Sequence, residues 1–164
     1  MISCVKNRKK LVSLPKMALT DDQILALYEP APPRPSVVSS AEYADNKRIC
    51  LKRQWDPLSP QCAILMYQPS TANATDDDTT IKRCISICKT NGYGGFSVYN
   101  LEQKQSIQEK DLIIAWGNSL SKKATQKIVF ELTQAHNLFC FVKLKNGNPG
   151  LPTRLASTTK IVSF

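Results

Sequence analysis

The sequence predicts a three-layer α/β/α fold around a central, mainly parallel four-stranded sheet, and three observations support this. Four apolar runs of strand length, Ala63–Met66, Phe96–Tyr99, Asp111–Gly117 and Leu138–Lys143, are each bounded by turn or polar residues. Between the first two, Ile81, Cys84, Ile85 and Cys88 follow helical spacing; between the last two, Ile128, Val129 and Leu132 do the same. A helix that joins two strands of one sheet makes them parallel, so their carboxyl ends share one edge. With 164 residues and 42% hydrophobic content, the chain can bury a core of this kind.

Lys6-Asn7-Arg8-Lys9-Lys10 makes the start of the chain basic, and Thr20-Asp21-Asp22-Gln23 reads as a capping box opening a short helix to about Glu29. Prolines 30, 32, 33 and 35 then impose an extended linker, so residues 1–42 read as an N-terminal extension and 43–164 as the α/β domain. Lys47–Trp55, with Arg48, Lys52 and Arg53 among apolar residues, suggests an edge strand with one basic face. Asp56-Pro57-Leu58-Ser59-Pro60 turns the chain into Ala63–Met66, which stops at Tyr67-Gln68-Pro69-Ser70. Pro69 restricts Gln68 to an extended conformation, which presents its amide at the carboxyl end of the strand, where open α/β sheets hold ligands.

Asp76, Asp77 and Asp78 precede the helix Thr79–Thr90, where negative charge suits the first turn better than it suggests a metal. Asn91-Gly92 closes that helix, and the next strand ends at Asn100, at the same sheet edge as Gln68. Residues 102–110 are a short polar connection, Asn118-Ser119 caps a helix from about Leu120 to Ala135, and 146–155 form a Gly- and Pro-rich loop at the functional end. The tail from Thr158 to Phe164 carries no signal.

A net charge of +9 and a pI near 9.4 point to an anionic partner, most simply nucleic acid. No apolar run approaches the ~18 residues of a membrane span, and the start lacks a signal-peptide core, so no membrane association and a cytoplasmic location are expected. The six cysteines show no Cys-x-x-Cys spacing and stand beside one histidine, His136, which favours buried reduced thiols over a metal site. No cofactor fingerprint of the dinucleotide or P-loop kind is present.

Arg48 to Trp55, Pro69-Ser70-Thr71-Ala72, Asp78 to Cys84, Gly92-Tyr93-Gly94-Gly95, Asn100-Leu101 and Ala115-Trp116-Gly117-Asn118 together resemble the family called domain of unknown function 1643, over about residues 46–155. The family's Asn-Pro-Ser is Gln68-Pro69-Ser70 here. More distantly, the order of motifs resembles the uracil-DNA glycosylase superfamily. Tyr67-Gln68-Pro69-Ser70 stands where that superfamily positions an attacking water, Val98-Tyr99-Asn100 where it reads uracil, and Leu151-Pro152-Thr153-Arg154-Leu155-Ala156 where a loop enters the minor groove. In an alternative register Asn148-Pro149-Gly150 takes that last place.

The resemblance implies a glycosylase-like fold and hydrolysis of the N-glycosidic bond of a flipped uracil in DNA by a monomer needing neither metal nor cofactor. Gln68 and Tyr67 would be catalytic, Asn100 and Ser70 would bind the base, and Leu151, Thr153, Arg154, Leu155, Lys122, Lys52 and Arg53 would bind single-stranded or uracil-containing DNA. Glutamine cannot act as a general base, which implies slow catalysis. A degenerate nucleic-acid-binding module of the same fold, or an enzyme acting on free nucleotides or nucleosides, stays open beside it.

Overall fold

The computed structural model describes residues 38–164. The basic run at Lys6–Lys10, the helix expected from Thr20, the prolines at 30–35 and Cys4 lie outside the described residues. In chain order the elements are β1 (Val38–Ala44), β2 (Lys47–Gln54), β3 (Gln61–Met66), α1 (Thr79–Thr90), β4 (Gly95–Asn100), a 3-10 helix (Leu101–Ser106), β5 (Asp111–Ala115), α2 (Lys122–Leu132), β6 (Asn137–Cys140) and β7 (Val162–Ser163).

The fold is mixed α/β, and the sheet has seven strands rather than the expected four, in the order β1-β2-β4-β3-β5-β6-β7. The four apolar runs form its parallel centre, with β4 and β5 on either side of β3 and β6 beyond β5. Antiparallel strands complete both sides. β7 pairs with β6, so the tail that carried no sequence signal forms a sheet edge. β1 pairs with β2 and begins at Val38, so this strand crosses the 42/43 boundary read from the sequence.

β2 is consequently not the edge strand expected. Asp45 and Asn46 adopt positive φ of 47° and 60° and join Ala44 to Lys47 in a two-residue turn, the geometry that suits a right-twisted hairpin. The pairing then slips by one residue, because Glu42 opposes Cys50 while Tyr43 opposes Arg48, leaving Ile49 over. Such a bulge moves the side chains beyond it to the other face. Arg48 therefore joins Leu51 and Arg53 on the face where α1 packs.

Both faces of the central strands are buried, as parallel pairing requires. Along β3, Cys62, Ile64 and Met66 enter one core with Ile81, Cys84, Ile87 and Cys88 of α1. Ala63 and Leu65 point the other way, into a core with Leu112, Ile114, Trp116 and Leu132. Five cysteines, Cys50, Cys62, Cys84, Cys88 and Cys140, are buried free thiols, the state expected for them.

α1 spans the residues expected, with the Asp78 side chain accepting from the Ile81 N–H at 2.8 Å and Gly92 following the C-cap at φ 83°. α2 starts later than expected. Ser121, not Asn118-Ser119, caps it, because the Ser119 N–H turns back to the Trp116 carbonyl. Strand register aligns the carboxyl ends: Met66 opposes Asn100 on one side and Ala115 on the other, so Tyr67, Asn100 and Trp116-Gly117 all leave the sheet at one edge.

Candidate functional site at the carboxyl edge of the sheet

At the end of β3, Tyr67, Gln68 and Pro69 are exposed, and the chain from Ser70 to Asp78 folds back over β2. Two arginines of β2 hold it there. Arg53 donates from Nε to Asp77 Oδ1 at 2.8 Å and from Nη2 to the Asn73 carbonyl at 2.6 Å. Arg48 Nη1 donates to the Ala72 carbonyl, and both terminal nitrogens reach Ser70 Oγ at 3.4 Å. Burial lowers the Arg48 pKa from its ordinary value, against the pull of nearby Tyr43 and Asp78.

Inside the loop, Asn73 Oδ1 accepts from the backbone N–H groups of Thr75 and Asp76, both at 2.8 Å, a local turn typical of asparagine. Asp76 Oδ2 accepts from Asn73 Nδ2 at 3.1 Å and from Thr75 Oγ1 at 2.9 Å, and these two bonds lower its carboxyl pKa. Asp76, Asp77 and Asp78 thus serve as turn acceptor, ion-pair partner and helix cap.

Two clefts flank Tyr67-Gln68-Pro69. The first, about 470 Å³, is lined by Lys47, Arg48, Tyr67, Gln68, Asn100 and Glu102 among others. Gln68 and Asn100 therefore meet at one cleft. Asn100 is only 5% exposed, and its Oδ1 is buried with no hydrogen-bond partner. A buried amide acceptor left unpaired is costly, so an oxygen in this position is complementary to a ligand that brings a donor. Lys47 Nζ lies 3.9 Å from Glu102, both side chains being 75% exposed, so this pair belongs to the rim.

The second cleft, about 380 Å³, lies on the other side of the same loop and brings Tyr67, Gln68 and Ser70 together with Trp116, Leu151 and Thr153. Its wall depends on Gly117. With φ 59°, Gly117 donates its N–H to the Pro149 carbonyl at 2.8 Å, and a Cβ there would stand 3.2 Å from Leu151 Cγ. Behind it, residues 142–150 make a tight turn: Gly150 N–H bonds to the Val142 carbonyl, Leu144 N–H to the Asn148 carbonyl, and Asn148 Nδ2 to the Leu120 carbonyl at 2.9 Å. Asn148, Pro149 and Gly150 are buried in that turn while Leu151 is 46% exposed, so Leu151 is the apolar side chain presented at the edge.

The remaining residues read as DNA contacts are scattered. Arg53 is 3% exposed and bonded inward, so it is a brace for the loop rather than a phosphate contact. Leu155 packs against the α1-side core, which removes it as a wedge, while Arg154 beside it is exposed. Lys122 is exposed at the start of α2, near Lys143 and Phe164. Lys52 sits mid-strand opposite Ser97, beside Glu42 and Glu109, away from the carboxyl edge. Arg48, Lys47 and Glu102 are the cleft residues that sequence reasoning missed. The Asp45-Asn46 pair was the available signal, since a two-residue turn there brings Lys47 and Arg48 beside the end of β4.

Among the described residues, no group of three His, Cys, Asp or Glu side chains could hold a metal ion. No helix among them is long and apolar enough to cross a membrane. No curated protein and no solved structure significantly matches the chain. Residues 48–112, which carry Arg48, Gln68 and Asn100, match the model of the family described as protein of unknown function (DUF1643), and that family is what this part of the chain is similar to.

Proposed function

We propose that the protein is a DNA-binding, uracil-DNA glycosylase-like hydrolase that takes an extruded uracil into the cleft between Gln68 and Asn100 and hydrolyses its N-glycosidic bond slowly. The observation that carries this reading is Asn100, buried at the carboxyl end of β4 with an unpartnered Oδ1. A carboxamide offers one acceptor and two donors, which complement the N3–H and O4 of uracil. The helix-covered sheet is read as the three-layer glycosylase-like arrangement, with the site at its carboxyl edge.

In this reading Gln68 orients the attacking water through its side-chain carbonyl, and no carboxylate replaces it as general base. Tyr67 borders both clefts beside the reacting sugar, while Ser70 lines the second cleft rather than the one that takes the base, and its Oγ accepts from Arg48. Exposed Leu151 acts as the wedge in place of Leu155, with Thr153 beside it. Arg154 and Lys122 are the exposed cations assigned to phosphate. The glutamine at position 68 favours one second reading, a module of this fold that grips uracil-containing DNA without cleaving it.

The test is cleavage of a labelled single-stranded oligonucleotide carrying one uracil, at excess protein and low salt, followed by alkali. Scission that needs uracil and falls about 100-fold or more in Asn100→Ala is the expected result. Salt-sensitive binding without scission would replace the enzyme by the binding module, and neither binding nor scission would end both readings.

A further inference from the structure

We infer that Arg48 is a catalytic residue of this site, binding the uracil ring as it departs as an anion; the inference rests on the glycosylase reading above. Arg48 is 8% exposed, yet among the described residues no carboxylate lies within ion-pair distance of it, whereas Arg53 on the same face has Asp77 at 2.8 Å. Its protein partners are the Ala72 carbonyl and Ser70 Oγ, which orient the guanidinium but carry no full negative charge. Asp78 acts on it only from beyond ion-pair distance, and a buried cation with no carboxylate in contact is unfavourable unless something else brings the charge. Burial lowers the pKa of Arg48, which agrees with a charge held in a desolvated place.

The cleft that Arg48 lines also holds Asn100, and the pair limits what fits. The Asn100 Oδ1 needs a hydrogen-bond donor, and Arg48 needs negative charge. A phosphate group satisfies the arginine but sets its oxygens against the amide oxygen. A uracil ring that has lost its bond at N1 satisfies both: its N3–H donates to Asn100 Oδ1 and its O4 accepts from the Asn100 amide nitrogen, while its O2, which shares the charge, accepts from the guanidinium. Neutral uracil makes the same hydrogen bonds without the charge, so the arrangement favours the transition state over the bound substrate.

In the step proposed, the C1′–N1 bond breaks and its electron pair goes to N1, delocalised over O2 and O4. The oxygen of water bonds to C1′, and the proton it releases reaches uracil through solvent. Atoms and charge balance without another reactant.

Single-turnover rates on oligonucleotides carrying uracil or 5-fluorouracil, measured for the wild type, Arg48→Gln and Arg48→Lys, test this. The fluorinated ring leaves as a more stable anion and needs less help. Arg48→Gln is expected to lose about 100-fold on uracil and markedly less on 5-fluorouracil, with Arg48→Lys between. Equal losses on both substrates would reduce Arg48 to a brace for the loop and overturn the inference while leaving the glycosylase reading intact. A wild type that cleaves neither substrate would remove that reading and this inference with it. If Arg48→Gln does not fold, product inhibition of the wild type decides: inhibition by free uracil should strengthen as pH rises through uracil's own ionisation and resist inorganic phosphate. A flat pH profile, or competition by phosphate, would overturn the inference.

Discussion

The carboxyl edge of the sheet carries two asparagines that look alike on simple criteria. Asn100, at the end of β4, is 5% exposed; Asn148, in the turn beyond β6, is 2% exposed; and each leaves its Oδ1 buried without a partner. Their surroundings differ. Asn148 donates from Nδ2 to the Leu120 carbonyl, takes its backbone N–H to Asn146 Oδ1, and so fastens one loop to another. Asn100 lines a cleft with Gln68 and Arg48. A buried unpaired oxygen is therefore informative about a ligand only where there is space in front of it and no tether behind it.

The same contrast extends to how the two sides of the edge are held. Beyond β3, the loop is fastened by the buried guanidiniums of Arg48 and Arg53 and by the carboxylates of half-buried Asp77 and exposed Asp76. Beyond β5 and β6, the fastening is by amides and backbone, with Asn146 Nδ2 donating to Asn118 Oδ1 at 2.8 Å and Gly117 N–H to Pro149. The largest stability effect should consequently come from the charged side. Asp77→Ala leaves Arg53 buried beside no carboxylate partner, and the expected loss is about 3 kcal/mol, the low end for a broken buried pair because Asp77 is itself partly exposed. Urea unfolding measures it; a loss below about 1 kcal/mol, the range of a surface pair, would show that charge is not what holds this loop.

The asparagine comparison sharpens with a second variant. Asn148→Ala leaves the Leu120 carbonyl without its donor and should lower stability by about 1–2 kcal/mol. Asn100→Ala removes an orphaned oxygen and should leave stability nearly unchanged while lowering uracil-dependent cleavage about 100-fold or more. Thermal unfolding of the two variants side by side measures the difference, and the same fall in both would erase the distinction drawn between them.

The sequence carried the centre of the sheet better than its borders. The four parallel strands are uniform apolar runs, and α1 has both its acidic cap and its glycine stop, so periodicity and local chemistry agreed. β1 (Val-Ser-Ser-Ala-Glu-Tyr-Ala) is mostly exposed and comes after prolines, and β7 is two residues long, so neither has a pattern to detect. Asn100 was legible because a βαβ unit fixes which strand ends are neighbours. Arg48 and Arg53 were not, because a cation on a strand reads as solvent-facing. The burial of Arg48 depends on the bulge at Ile49, and that of both on a loop from twenty residues later folding over them. Leu155 misled for the reverse reason: the motif order pointed to it, whereas its packing against the core leaves Leu151 at the surface.

The smallest expected effect separates the two sides by pH. Asp76 is held below the usual carboxylate range by the hydrogen bonds from Asn73 and Thr75. A carboxyl whose folded pKa is depressed binds its proton more readily in the unfolded chain. Its stabilisation is therefore fully present above the ordinary carboxylate pKa and is lost as pH falls through the depressed folded value. Asn118, Asn146 and Asn148 on the opposite side carry no such charge. Amide exchange should accordingly speed up at residues 73–78 as pH falls below the ordinary carboxylate range, after correction for intrinsic rates, while 142–150 keep their protection. Asp76→Asn should flatten that response at the first segment only. Equal loosening of both segments would mean that acid acts on the sheet as a whole, and that the charged and amide fastenings are not independent.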